Sequence, residues 1–255
     1  MNLLEVSGLS KRFGGVQAVK DVSFRVREGS VKAVIGPNGA GKTTLFDLLS
    51  GFRPPDAGTV RFRGREVQGL PAHAFASLGI SRTFQNLKLF GHMSALENAM
   101  VGRHARSRSG LLAGMLSTPG ARREDREIEA RAREELRFLG VEGLADVPAG
   151  SLAYGQQRAV ELARALCAEP ALLLLDEPAA GLNMRETAEL ADRVLSIRER
   201  GVTVLLVEHD MSLVMRISDE VAVLCFGEKI ADADPRAVQR DPEVVRVYLG
   251  EDEVA

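Results

Sequence analysis

The chain has 255 residues, of which 27 % are charged and 45 % hydrophobic, and its formal net charge is −2. This composition is typical of a globular protein with a substantial core, and it does not favour a basic nucleic-acid-binding surface. No apolar stretch approaches the roughly 20 residues that span a bilayer, and the N-terminus lacks the regions of a secretory signal. We therefore expect a cytoplasmic protein that binds no nucleic acid.

Two segments in the first third of the chain alternate between apolar and polar side chains. Val22, Phe24 and Val26 form one such series, and Val60 and Phe62 belong to the other. Period-two alternation is the pattern of a half-buried strand. It predicts antiparallel strands with one face in water.

Three other segments, residues 31–35, 172–175 and 202–207, are almost continuously apolar. Such runs indicate parallel strands that are covered on both faces. Helical patterns separate them along the chain. We therefore predict an α/β core of three layers, with a parallel sheet in the middle.

A glycine-rich segment follows the first apolar run and precedes a helical pattern. It matches the phosphate-binding loop G-x-x-x-x-G-K-[ST] and consists of Gly36, Pro37, Asn38, Gly39, Ala40, Gly41, Lys42 and Thr43. In such a loop, backbone N–H groups point at the phosphates. Lys42 places a positive charge beside the β- and γ-phosphates, and Thr43 is a Mg²⁺ ligand. Thr44 continues into the helix, whose N-terminus favours an anion. Because of the flanking strand and helix, we predict a nucleoside triphosphate site instead of a chance glycine-rich turn.

The middle of the chain contains no strand pattern. Residues 121–139 hold opposite charges four positions apart, which is typical of a helix with a solvated charged face. Residues 103–108 are rich in arginine but lack the interleaved aromatic residues of a nucleic-acid patch, so they favour a loop or a helix end. We interpret residues 94–168 as a helical subdomain inserted into the α/β core.

The second and third apolar runs end in polar residues. One leads into Asp176 and Glu177, and the other into Glu208 and His209. Because ligands of open α/β sheets bind at the carboxyl ends of the strands, we expect His209 to face the same nucleotide as Asp176 and Glu177. Asp176 is placed to hold Mg²⁺ and Glu177 to polarise the attacking water, whereas the alternative is a pair of solvated acids. Gln85 ends a shorter stretch and could also reach Mg²⁺ or the attacking water.

The C-terminal segment has the pattern of a short packed helix. Asp241 is expected to cap its N-terminus, with Pro242 at the first helical position and Glu243 in the first turn. An apolar stripe follows, and Gly250 lies where a helix often ends. A loose acidic end is expected beyond it.

In order and in type, these motifs resemble those of the ATP-binding subunit of an ABC transporter, over nearly the whole chain. The family signature usually reads Leu-Ser-Gly-Gly-Gln, and its counterpart here is Leu152, Ala153, Tyr154, Gly155 and Gln156. The resemblance implies roles in catalysis, Mg²⁺ binding or adenine stacking for Gln85 (Q-loop), Asp176 (Walker B), Glu177 (catalytic glutamate), His209 (switch histidine) and Phe13 (adenine stacking).

The resemblance also implies the fold and the division of the chain. It implies a P-loop NTPase of RecA-like type, in which residues 1–255 form a single ABC ATP-binding domain. Residues 1–93 and 169–235 would form a parallel-sheet α/β core with an antiparallel β subdomain. Residues 94–168 would form the helical subdomain, and residues 236–255 the C-terminal helix and tail.

A mechanism and a set of partners follow from the same resemblance. Two such subunits, identical or different, would form a head-to-tail dimer with ATP and Mg²⁺ between one phosphate loop and the partner's signature. Closure and hydrolysis would drive two transmembrane permeases, supplied by a periplasmic or extracellular solute-binding protein. The chain would then be attached to the inner face of the cell membrane. Residues 86–100 would meet a permease helix, although their apolar side chains fit a plain core equally well.

Three residues depart from the family pattern. Ala153 stands where serine is usual, Tyr154 where the first glycine is usual, and Asn183 where the D-loop has aspartate. The resemblance implies that the missing serine hydroxyl would remove one hydrogen bond to the γ-phosphate. We hypothesise that Gly155 and the helix N-terminus suffice for closure.

The signature, the long insert at residues 103–123 and the C-terminal run around Tyr248 are similar to those of one subfamily. It comprises the longer ATPase subunit of high-affinity branched-chain amino-acid importers. Urea-import and lipopolysaccharide-export ATPases are related alternatives. A soluble ABC ATPase acting on nucleic acid or ribosomes would commonly carry two cassettes or a long coiled coil, and a P-loop kinase or GTPase would have no use for the signature.

Overall fold

A six-stranded sheet forms the centre of the computed structural model, which describes residues 1–104 and 119–249. Five of its strands are parallel, and the strand at one edge is antiparallel to its neighbour. The order across the sheet is β10 (Glu228–Ala233), β9 (Glu220–Cys225), β3 (Val31–Ile35), β8 (Thr203–Val207), β7 (Leu172–Asp176) and β6 (Ile80–Arg82).

The three central strands β3, β7 and β8 are buried along their whole length. Their continuous apolar sequence reflects this position, because both faces of the sheet are covered. The prediction of parallel strands in these three runs is confirmed. Lys32 is the charged exception within β3, and its amine pairs with Asp232 at 2.5 Å.

A second sheet of four antiparallel strands packs over the N-terminal part of the core. Its order is β2 (Val16–Arg27), β1 (Asn2–Phe13), β4 (Ala57–Phe62) and β5 (Arg65–Glu66). Val22, Phe24 and Val26 are buried, whereas the residues between them are exposed. The predicted antiparallel strands are therefore confirmed, and their apolar face covers the first helix of the chain.

Helices cover both faces of the central sheet and form the middle segment of the chain. They are α1 (Lys42–Leu49), α2 (Ala72–Leu78), α3 (Ala95–Val101), α4 (Pro119–Phe138), α5 (Tyr154–Cys167), α6 (Met184–Glu199), α7 (Met211–Ile217), α8 (Pro235–Arg240) and α9 (Pro242–Leu249). None of the helices in the described ranges is long and apolar enough to cross a membrane.

The middle segment is built from α3, α4 and α5, which pack against one another. Helix α4 corresponds to the charged helix predicted at residues 121–139, and ion pairs such as Arg123–Glu127 and Arg133–Glu129 lie along it. Glu135 is fully buried, and its carboxylate lies 2.7 Å from the guanidinium of Arg200, at the end of α6. This pair fastens the helical segment to the core. Residues 105–118, most of the predicted insert, lie outside the described residues.

The C-terminal helix α9 begins as predicted. The Asp241 carboxylate accepts a hydrogen bond from the Glu243 N–H at 2.9 Å, so Asp241 caps the helix. Val244 is buried against the core. Gly250 and the acidic end lie outside the described residues. The Tyr248 ring is partly covered, and this burial raises the pKa of its phenol to about 12.

Candidate functional site

The phosphate loop connects the carboxyl end of β3 to the N-terminus of α1, and two of its glycines are required by close contacts. A Cβ at Gly36 would lie 2.2 Å from the Leu224 carbonyl oxygen, and one at Gly41 would lie 2.2 Å from the Ala18 carbonyl oxygen. Both glycines have positive φ, at 153° and 100°. Any side chain at either position would push the loop off the strands β9 and β2. The loop geometry is thus fixed by its neighbours.

Lys42 lies across the phosphate loop and is almost buried. Its amine donates hydrogen bonds to the carbonyl oxygens of Gly36 at 2.6 Å and Pro37 at 3.0 Å. Burial lowers the pKa of Lys42, whereas the nearby carboxylates of Glu177 and Asp176 act in the opposite direction. The amine is therefore held over the loop at the place where a phosphate oxygen would bind.

A cavity of about 460 Å³ opens above the loop. It brings together the loop, the start of α1 and two of the predicted catalytic side chains. Its lining consists of Val16, Gln17, Ala18, Asn38, Gly39, Ala40, Gly41, Lys42, Thr43, Thr44, Gln85, Glu177 and Phe226. Phe226 was not predicted as a site residue; it lies at the tip of the β9–β10 turn and is 86 % exposed.

Glu177 is the centre of a cluster at the carboxyl ends of β7 and β8. Its carboxylate accepts a hydrogen bond from the Gln85 amide nitrogen at 2.7 Å. The His209 Nδ1 atom lies 3.9 Å from the same carboxylate oxygen. Glu177 also has a φ of +45°, an uncommon backbone conformation for a residue other than glycine. The structure therefore brings the three predicted catalytic residues together.

Asp176 is the last residue of β7 and is almost completely buried. Burial raises the pKa of its carboxyl group, and the Arg82 guanidinium, 2.8 Å away, opposes that effect. Arg82 also donates to Asp47 and Ser50, both at 2.8 Å. Arg82 was not predicted as a site residue. It ends the short strand β6, and its partners come from distant segments.

Glu208 is a second residue that the sequence analysis gave no role. It is fully buried, and burial raises the pKa of its carboxyl group. One carboxylate oxygen accepts the Ala179 N–H at 2.8 Å, and the other accepts the N–H groups of His209 at 3.0 Å and Asp210 at 3.3 Å. Glu208 thus joins the loop after Glu177 to the backbone at His209.

The signature residues lie at the N-terminus of α5. Tyr154 begins the helix, Leu152 is mostly buried, and Gln156 accepts a hydrogen bond from the Ala153 N–H at 3.0 Å. Ala153 makes no side-chain hydrogen bond to the first turn, which leaves N–H groups there for a ligand. Neither these residues nor Gly155 is among those that line the cavity over the phosphate loop.

Phe13 lies at the turn between β1 and β2 and is 40 % exposed. It pairs with Val16, which lines the cavity, but Phe13 itself is not a lining residue. The Arg53 guanidinium lies 5.2 Å from the centre of its ring. The aromatic ring is thus at the rim of the site, and its predicted contact with adenine stays a prediction.

The fold, the phosphate loop and the acids at the strand ends define a P-loop NTPase, as predicted. A sequence model of the ABC transporter family matches residues 19–180, and one of branched-chain amino acid ATP-binding cassette transporters matches residues 228–254. The chain belongs to the ABC transporter family.

Similar proteins include the high-affinity branched-chain amino acid transport ATP-binding protein BraF of Pseudomonas aeruginosa, which is 48 % identical over 98 % of both chains. LivG of Escherichia coli K12, a protein with the same description, is 44 % identical over the same shares. Two solved structures, a nucleotide-free ATP-binding cassette of an ABC transporter and an ADP conformation of such a cassette, are 32 % identical. Each has a TM-score of 0.86 and covers 98 % of this chain and 100 % of its own.

Proposed function

We propose that this chain is the ATP-hydrolysing subunit of a branched-chain amino-acid importer. The contact between Gln85 and Glu177 at the mouth of the phosphate-loop cavity carries the hydrolytic part of this proposal. Full-length similarity to BraF and LivG, together with the match of the C-terminal segment, supports the importer.

In this proposal the phosphate loop and the N-terminus of α1 bind the triphosphate. The Lys42 amine exchanges its carbonyl partners for the β- and γ-phosphates, an exchange that its lowered pKa does not prevent, since the phosphate charge favours the ammonium. Glu177 accepts a proton from the attacking water, and Gln85 and His209 orient the carboxylate and the water. Phe13 supplies a ring for adenine at the rim.

The residues around the loop fit Mg²⁺. The Thr43 hydroxyl, the Asp176 carboxylate and the Gln85 amide are oxygen donors, which this cation prefers, and phosphate and water supply its remaining ligands. Arg82 occupies one carboxylate oxygen of Asp176 and leaves the other available. Bound Mg²⁺ would neutralise charge on the β- and γ-phosphates.

The partners follow from the position of the signature. Because it lies outside the chain's own cavity, it would serve the nucleotide of a second ATPase subunit, with the free N–H groups of α5 facing the γ-phosphate. The permeases would bind on the membrane side and hold the chain at the inner face of the membrane.

A cavity of about 670 Å³ between α2, β6 and α5 is suited to a permease helix, because it is more apolar than the phosphate site. Phe52, Phe75, Ile80, Phe84 and Val101 are among its lining residues. The sequence resemblance predicted the permease contact at residues 86–100. In this segment Leu89 and Met100 pack against the core, whereas Phe90 is 53 % exposed.

The test is transport by the assembled importer. The chain is co-expressed with the permeases and the solute-binding protein of a branched-chain amino-acid importer, and ATP-dependent uptake of leucine, isoleucine and valine is compared with uptake of urea. We expect uptake of the branched-chain amino acids, abolished in Glu177→Gln protein. Uptake of urea alone, or transport that persists in Glu177→Gln protein, would refute the proposal.

A further inference from the structure

Tyr154, the bulky residue in the signature, makes contacts that a glycine could not make. Its hydroxyl accepts a hydrogen bond from Arg158, one turn later on α5, at 3.1 Å. The guanidinium of Arg158 also lies over the ring, 5.4 Å from its centre. A cation over an aromatic face is an attractive arrangement, and it is stronger where water is excluded. Tyr154 and Arg158 therefore act as one unit.

Arg158 connects this unit to the segment that carries Gln85. It is only 4 % exposed, and its guanidinium donates to the carbonyl oxygens of Phe84 at 2.9 Å and Gln85 at 2.7 Å. The planar guanidinium can hold both carbonyl groups only in one orientation. The Gln85 side chain in turn donates to Glu177. A continuous path of hydrogen bonds thus runs from the signature to the hydrolytic carboxylate.

The Tyr154 ring also contacts the loop that follows Glu177. A Cβ at Gly181 would lie only 3.0 Å from a ring carbon of Tyr154. The next signature residue, Gly155, lies so close to Glu186 of α6 that a Cβ there would be 2.7 Å from its carboxylate. The start of α5 therefore touches two segments that follow Glu177 in the sequence, the loop at Gly181 and the first turn of α6.

We propose that Tyr154 is a positioning residue that links the signature of a subunit to the hydrolytic Gln85 and Glu177 of the same subunit. When the nucleotide of a partner subunit binds the signature, movement of α5 is passed through Arg158 to the backbone of Gln85. This inference rests on the proposed head-to-tail dimer. It gives the tyrosine a role in hydrolysis in addition to its place at the dimer interface.

The first experiment separates dimerisation from hydrolysis. ATP-dependent dimerisation is measured by size exclusion in the Glu177→Gln background, with and without Tyr154→Phe, and kcat is measured in the otherwise unaltered chain. Tyr154→Phe removes only the hydroxyl, so we expect dimerisation to persist and kcat to fall about fivefold, as for the loss of one hydrogen bond. Ser196→Ala is the matched control, because it also deletes one hydroxyl, on the exposed side of α6.

The second experiment tests the path through Arg158. Arg158→Lys keeps the charge but cannot hold both carbonyl groups, so adding Tyr154→Phe to it should lower kcat no further. The chain has two tyrosines and no tryptophan, so in Tyr248→Phe protein a 3-fluorotyrosine label reports Tyr154 alone. We expect Arg158→Lys to shift this ¹⁹F resonance.

Each outcome decides between the proposals. An unchanged kcat in Tyr154→Phe, additive losses in the double variant, or an unmoved ¹⁹F resonance would overturn the role of Tyr154. Parallel loss of dimerisation and kcat would reduce Tyr154 to an interface residue. If Glu177→Gln protein with Tyr154 intact fails to dimerise with ATP, the head-to-tail dimer itself is wrong.

Discussion

The side-chain amide of Gln85 lies 2.7 Å from the Glu177 carboxylate, although 92 residues separate them in the sequence. They meet because β6 and β7 are neighbouring parallel strands, and each residue follows the carboxyl end of its strand. The Gln85 amide therefore orients the Glu177 carboxylate. Substituting Glu177 and Gln85 separately therefore tests what each residue contributes to hydrolysis.

We expect Glu177→Gln to lower kcat by about a hundredfold or more, because it removes the proposed general base while keeping the shape of the side chain. Gln85→Ala should lower kcat less, about tenfold, because the carboxylate remains but is no longer oriented. Phosphate release measures the rate, and equilibrium dialysis with ATP checks that binding persists. Glu199→Gln, an exposed change at the end of α6, serves as the control. Near-normal hydrolysis by Glu177→Gln protein would assign the base elsewhere.

Arg82 is expected to hold Asp176 in its ionised form. Because burial raises the pKa of Asp176 and Arg82 opposes this, Arg82→Met should raise that pKa further. The acidic limb of the kcat–pH profile then moves to higher pH, and more Mg²⁺ is needed for half-maximal activity. Loss of one partner of a buried ion pair should also lower the free energy of unfolding by about 3 kcal/mol.

Arg61→Met provides the comparison for Arg82, since Arg61 forms an exposed pair with Glu66 at 2.8 Å. Its loss should change the free energy of unfolding little, because the pair is exposed to solvent, and should leave the pH profile unchanged. Chemical denaturation and rate measurements between pH 5 and pH 9 give both quantities. An acidic limb that stays in place in Arg82→Met protein would contradict the proposed action on Asp176.

The sequence predicted those parts of the structure that depend on neighbours along the chain. Alternation marked β2, continuous apolar runs marked β3, β7 and β8, and the cap at Asp241 marked the start of α9. Strand β1 was not assigned, because irregular pairing with β2 disturbs its alternation. Arg82 and Glu208 were missed for a different reason: each contacts a residue from a distant segment, Asp176 for Arg82 and Ala179 for Glu208, and only the folded sheet brings these residues together.

Asp210 should make the stability of α7 depend on pH. Its carboxylate caps the helix by accepting the N–H groups of Ser212 at 2.9 Å and Leu213 at 3.2 Å. The hydrogen bond from the Ser212 hydroxyl is the main cause that lowers the pKa of Asp210, and these N–H groups add to it. A lowered pKa means that the stabilisation is complete above the ordinary pKa of aspartate, about 4, and is lost as the pH falls through the folded-state value.

Asp210→Ala is therefore expected to lower the free energy of unfolding by about 1 kcal/mol at pH 7, with a smaller difference from the unaltered protein below pH 4. Asp210→Asn separates charge from capping, because asparagine caps a helix well but does not titrate. Urea unfolding at several pH values measures the differences. A loss in Asp210→Ala protein that is equally large at low pH would show that the charge contributes nothing.

Gly181 and Gly201 form a matched pair for measuring the contact with Tyr154. Both have left-handed backbone conformations, with φ of +80° and +86°, so alanine should cost about 1 kcal/mol at either position. A Cβ at Gly201 meets nothing within 4 Å, whereas one at Gly181 lies 3.0 Å from the Tyr154 ring. Gly181→Ala should therefore lower the free energy of unfolding, measured in urea, by about 1–3 kcal/mol more than Gly201→Ala does, because the Tyr154 ring must move. In a Tyr154→Gly background we expect the two alanine substitutions to lower the free energy of unfolding equally, since the obstructing ring is gone. Equal losses with Tyr154 present would mean that the ring does not rest on Gly181.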